Sequence, residues 1–253
     1  MARSGSYRRL AAYGGLLVVL VLGCGGDKGT KPKDGGSQTP ITMPLKVGNR
    51  WTYAVTTIEG QTSDTTSAIE QVTGTRVLGD GQTYWIMETQ NPGFAPDTTY
   101  IRQSGQEVYV YQIFPIGGDL ASRWMLRKLA ASLPWKLADF TAQSGQIFSF
   151  EAETTLVDSG VTLRLTLNGA SLGRTQVEVP GGSYTDVYEG RLTVLETVFS
   201  GGIAVVNGSV MDDIYVKDAI GVVRQDEESR YELYGEDPQI TTTRSLLRSY
   251  SFP

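Results

Sequence analysis

The sequence predicts an all-β fold, an antiparallel meander forming a half-barrel or a sandwich with one short helix at about 119–133. Three observations carry this. From Leu45 onward the chain consists of short runs in which apolar and polar residues alternate with the two-residue period of a half-buried strand. Those runs are rich in β-branched and aromatic residues, which fit a pleated surface better than a helix. Between them stand compact turn signals, each able to reverse the chain and join one strand to the next.

Taken in order, the first run, 50–58, places Trp51, Tyr53 and Val55 on one face. Strands follow at 66–77 and, after Gly79-Asp80-Gly81, at 82–90, which holds Tyr84-Trp85-Ile86-Met87. The runs 97–103 and 106–114 flank Ser104-Gly105. Asp119 to Leu133 contains no Gly, Pro or β-branched residue and predicts a helix, with Asp119 as N-cap and Pro134 as stop. Its leucines and Trp124 fall mostly on one side and Arg123, Arg127 and Lys128 on the other, so it packs on the sheet or lies over a groove. Strands resume at 146–157, 160–168, 172–179, 184–198, 203–217, 220–226, 229–234 and 239–250, punctuated by Asp158-Ser159-Gly160, Asn168-Gly169, Pro180-Gly181-Gly182, Ser200-Gly201-Gly202 and Tyr234-Gly235. Asn207-Gly208 offers a further break within 203–217. No repeat of fixed period is present, which argues against a propeller or solenoid.

Three sets of residues invite a chemical reading. Glu151 and Glu153 share one face of a strand, with Cα atoms about 6.6–6.8 Å apart, near the carboxylate separation of inverting glycosidases. Phe148, Phe150 and Ala152 occupy the other face, so the glutamates read as the solvated side and a glycoside hydrolase is disfavoured. Asp212, Asp213 and Asp218 suggest a calcium site, but alternation sends Asp212, Ile214, Val216 and Asp218 to one face and Asp213, Tyr215 and Lys217 to the other. In Val108-Tyr109-Val110-Tyr111 both faces are apolar, so one of them lines core and the other is free to floor a groove. Tyr109, Tyr111 and Trp124 are the candidate groove residues. No catalytic residue, metal site or cofactor is expected.

The N-terminus is a separate object. Arg3, Arg8 and Arg9 precede an apolar run of 13 residues, Leu10 to Leu22, which is followed by Gly23 and then Cys24. A spanning helix needs about 20 apolar residues, so the run is too short, and Gly14 and Gly15 interrupt it. Val21-Leu22-Gly23-Cys24 resembles the lipobox of bacterial lipoproteins. That resemblance implies cleavage between Gly23 and Cys24, acylation of the Cys24 thiol and of the new N-terminus, and a durable membrane anchor with palmitate-like chains. Three domains of behaviour follow: a signal peptide at 1–23, a flexible tether at 24–44 and a single β-rich domain at 45–253. About twenty residues of polar, glycine-rich coil span roughly 25 Å, enough to hold the domain just clear of a bilayer. Gly25 after Cys24 leans towards the outer membrane by analogy with known sorting rules, placing the protein in the bacterial envelope facing the periplasm or the exterior.

Composition narrows function further. Of 22 basic and 27 acidic residues, three arginines leave with the leader, giving the mature chain a charge of −8, which disfavours nucleic acid as a partner. There is no histidine, and Cys24 is the single cysteine. With that thiol acylated, histidine-dependent hydrolysis, thiol chemistry and ordinary zinc sites lose their residues, and no disulfide can form. Finally, Pro44-Leu45-Lys46-Val47-Gly48-Asn49-Arg50-Trp51-Thr52-Tyr53, Val177-Glu178-Val179-Pro180-Gly181-Gly182-Ser183-Tyr184 and Gly221-Val222-Val223-Arg224 are similar to three signatures of uncharacterised β-rich bacterial lipoproteins. Ala219-Ile220 precedes the last where such families often have glycine. That resemblance carries over no active-site residue; an acylated, acidic, histidine-free β domain is expected to be a non-catalytic binding or assembly module, with an envelope protein or an apolar ligand as partner. A half-barrel carrier of lipid or lipoprotein acyl chains, with the helix as its cover, is the alternative.

Overall fold

The structure is a computed structural model that describes residues 40–92, 95–111, 134–156 and 160–253. Twelve strands form one antiparallel sheet: β1 (Arg50–Glu59), β2 (Thr62–Val77), β3 (Thr83–Gln90), β4 (Asp97–Ser104), β5 (Glu107–Tyr111), β6 (Trp135–Asp139), β7 (Gly145–Leu156), β8 (Val161–Val179), β9 (Gly182–Ser200), β10 (Ile203–Lys217), β11 (Gly221–Leu233) and β12 (Gln239–Ser251). Their order in space is β6-β5-β4-β3-β2-β1-β12-β11-β10-β9-β8-β7, so every neighbour is a sequence neighbour except at the β1–β12 pair. That one long-range pairing joins two meanders into a nearly closed, barrel-like sheet. Its edges meet near Phe140, whose carbonyl accepts from Arg174 Nη2 at 3.1 Å and whose ring meets that of Tyr188 edge-on at 5.1 Å.

The expected all-β meander is therefore present, with several strands longer than local chemistry suggests. The runs 160–168 and 172–179 are one strand, β8, because Asn168-Gly169 stays in register with β7 and β9 instead of turning. The Asn168 side chain is held by Ser149 Oγ at 2.9 Å, and the strand absorbs its irregularity as bulges at Ser171/Gly173 and Thr175/Val177. Likewise 220–226 and 229–234 fuse into β11, and Asn207-Gly208 lies inside β10. One strand, β6, has no counterpart in the sequence reading. The helix expected at 119–133 and Trp124 lie outside the described residues, as do the leader and Cys24. Among the described residues no helix is long and apolar enough to cross a membrane.

The inner face follows from alternation. Trp51, Tyr53 and Val55 of β1, Val108 and Val110 of β5, Leu163, Leu165 and Leu167 of β8, and Ile214 and Val216 of β10 join one continuous core. The end of the barrel at which the chain enters is closed by the entering segment itself. Ile41 and Met43 are buried in the core, and their backbone N–H groups donate to Gln106 Oε1 and Gln103 Oε1, each at 2.8 Å. Thr42 N donates to Asp218 Oδ1 at 2.7 Å between them. The three recurring signatures converge on this same end. Trp51 Nε1 donates to Ile220 O at 2.6 Å, Tyr53 Oη to Val222 O at 3.1 Å, and Gly181 N to Leu247 O at 2.8 Å. Gly221, beside the Trp51 indole, has φ +94°, a left-handed backbone conformation that favours glycine. The signatures thus encode how one end of the barrel is sealed.

Candidate functional site

The opposite end is formed by the turns after β1, β9 and β11. Ile58, Leu195, Ile203, Tyr231, Tyr234 and Ile240 are large apolar side chains exposed there. Looking inward from it, register sets the lining. Val198 pairs with Val206 and Val194 with Val210 across β9 and β10, and Leu163 and Leu167 of β8 stand opposite Val198 and Val194. These positions share the inner face and form a largely apolar wall, with Glu196, exposed between Val194 and Val198 and paired with Gly208, as the one carboxyl group on its β9 part.

The wall beside it is polar. Asp212 of β10 pairs with Glu227 of β11, and Glu227 with Thr243 of β12, so three acceptor groups form one rung on the inner face. The rung deeper in the barrel is Ile214, Gln225, Ser245 and Val55. Gln225 Nε2 donates to both Asp212 oxygens, at 3.0 and 2.9 Å. Burial pushes Asp212 up to about 8, against the opposing pull of Gln225. Burial, and secondarily Asp212 itself, pushes Glu227 up to about 8. Glu70, two strands further round and opposite Trp51, is raised by burial to about 7, with Tyr53 holding it back. All three acids are therefore largely neutral below pH 7, which is how carboxyl groups are tolerated in such surroundings.

Alternation makes the two sides of these strands electrostatically opposite. On the outer face Asp213 takes two hydrogen bonds from Arg191, at 2.6 and 2.7 Å, and Asp226 is bound by Arg224 and, at 2.6 Å, by Arg244. On the inner face of β1, β10, β11 and β12 there is no lysine or arginine; the acids there have no counter-charge. Cations are thus confined to the outside of this half of the barrel, and the interior keeps carboxyl groups alone.

The candidates named from sequence are distributed as follows. Tyr109 and Tyr111 stand on the face opposite Val108 and Val110, away from the core, where Arg102 lies 4.4 Å from the Tyr109 ring and 5.6 Å from that of Tyr84. Any groove they floor belongs to the outer surface, not the concave interior. Glu151 and Glu153 are exposed on β7, and Glu153 accepts from Arg164 Nε at 2.8 Å. Asp212 and Asp213 point to opposite faces and Asp218 holds Thr42, so the three aspartates do not meet. Among the described residues no group of three or more Cys, His, Asp or Glu is placed to hold a metal. Sequence reading passed over Glu227 because it sits in Asp226-Glu227-Glu228-Ser229, a polar stretch that looks like a turn; only its pairing with Asp212 marks it.

No family model matches the chain, and no curated protein matches it significantly. Its fold is similar to that of a solved chain from Parabacteroides distasonis, provisionally described as a lipoprotein, at TM-score 0.44 and 9% identity over 84% of this chain and 99% of that one.

Proposed function

We propose that this protein is a lipid-anchored component of the bacterial envelope, held through Cys24, whose β domain is a non-catalytic binding or assembly module working through the end of the barrel away from Pro40. One observation carries the second half of this reading. The segment that arrives from the membrane anchor plugs its own end with Ile41 and Met43, so the far end, with its exposed Tyr231, Tyr234 and Ile203, is the one presented outward. Val47 and Val77 are exposed at the plugged end as well, so the choice of the far end rests on the plug and not on the number of exposed apolar side chains. On this reading the carboxyl rung serves recognition, supplying acceptors to the interior behind the far end.

The experiment is photo-cross-linking in membranes of the native host, with the reactive residue at Tyr234 or Ile203 in one pair of variants and at Val47 or Val77, on the plugged end, in another. The reading expects specific adducts from the first pair alone. Equal adduct patterns from both ends would remove it.

A further inference from the structure

Resting on the reading that the far end is the working end, we infer that the inner face binds a small primary amine carried on an apolar chain, its ammonium group seated on the rung formed by Asp212, Glu227 and Thr243. Three observations converge on this chemistry. The rung offers acceptors and lacks a cation: both Asp212 oxygens accept from Gln225, and the inner faces of β1, β10, β11 and β12 carry no lysine or arginine. Thr243, 6% exposed and beside Glu227 in register, has an Oγ1 buried without a hydrogen-bond partner, an orphan independent of the acids. Buried polar atoms are seldom left so, and this one shares a face with two carboxyl groups that face no cation.

An ammonium group has three N–H donors and one positive charge. Three acceptors on adjacent strands, two of them acids, match that count. The remainder of the ligand is set by the neighbouring wall. The half-buried Val194, Val198, Val206 and Val210 lie between the rung and the far end, with the exposed Glu196 among them and the buried Leu163, Leu165 and Leu167 behind. An alkyl body lying on the half-buried valines exchanges water for apolar contact, while Glu196 adds a further acid and no cation to the lining. A phosphate-bearing amine such as a phospholipid headgroup is disfavoured, because its anion would enter a lining with no cation to receive it.

The test is calorimetric titration of the full mature protein at pH 7.5 with hexylamine, 1-hexanol and hexanoate, three probes of one length that differ in head group, and with dihexanoylphosphatidylethanolamine. Hexylamine is expected to bind at least tenfold more tightly than hexanol, with hexanoate and the phospholipid weaker still. The tenfold preference should vanish in Asp212→Asn/Glu227→Gln, checked for native circular dichroism, and shrink in Thr243→Val, which keeps both acids and the side-chain shape. Hexylamine and hexanol binding equally would overturn the ammonium assignment while leaving the far end as an apolar site. A preference that survives in both variants would place the amine elsewhere and overturn it too. Binding of the phospholipid as tightly as hexylamine would overturn the restriction to phosphate-free amines. No binding by any probe overturns the inference, whereas the working-end reading itself stands or falls on the cross-linking pattern.

Discussion

Replacing Asp212 with asparagine should remove about one proton's worth of the pH dependence of stability, leaving that of Glu227 and Glu70. The substitution keeps shape and leaves Gln225 a partner, so it removes chiefly the ability to ionise. In the folded chain burial raises this carboxyl from 3.8 to about 8, whereas in the unfolded chain it returns to its ordinary value. A raised acid favours the folded state while protonated: its contribution is complete below about pH 4 and is lost as pH rises through about 8. Between pH 5 and pH 7 the folded state holds one more proton at this site, and stability falls by about 1.4 kcal/mol per pH unit, or about 2.7 kcal/mol over the interval. For a domain of this size each kcal/mol moves Tm by roughly 2–4 °C, so Asp212 accounts for a fall of about 5–11 °C. Thermal unfolding followed by tryptophan fluorescence at pH 5, 6 and 7 measures this directly. The wild type should lose that much more than Asp212→Asn across the range. Parallel Tm curves would refute the reasoning, since they would mean that Asp212 is ionised and solvated in the fold.

Two further outcomes test the backbone and the end seal. Ala219 holds a left-handed φ of 56° in the β10–β11 turn, where its N–H donates to Thr42 O at 2.9 Å. Ala219→Gly should relieve roughly 1–2 kcal/mol of steric cost, less the extra chain entropy of glycine, and raise stability by about 0.5–1 kcal/mol in urea unfolding; a loss would show the turn to be unstrained. Gly173 has φ +102°, and a Cβ there would sit 2.8 Å from Gln143 O beside the closing edge. Gly173→Ala should therefore cost about 2–4 kcal/mol by the same assay, and a neutral result would mean that this edge shifts freely.

Much of this architecture was legible from alternation, and the illegible part has a definite cause. Trp51, Tyr53 and Val55 share a face because the strand period is two, and for the same reason Asp212 and Asp213 separate. In Val108-Tyr109-Val110-Tyr111 the period was equally clear, yet both faces are apolar, so nothing local says which turns inward; packing against Ile101 and Ala138 decides in favour of the valines. A turn dipeptide misled where a long strand overrides it: Asn168-Gly169 has turn chemistry, but neighbours on both sides hold it extended, as they do Asn207-Gly208 within the strand read at 203–217. The carboxyl rung could not be read at all. It exists through pairings of β10 with β11 and β11 with β12, and its orphaned Thr243 is ordinary until burial and register are known.

The anchor remains the premise on which the orientation of the barrel depends, and intact-mass measurement of protein extracted from membranes of the native host tests it most directly. The expected result is a chain beginning at Cys24 and heavier than its residues by a diacylglycerol and a further acyl group, with Cys24→Ser retaining its leader or leaving the membrane fraction. An unmodified thiol on an uncleaved chain would contradict the account, and with it the reason for regarding the Ile41–Met43 end as the one that faces the bilayer.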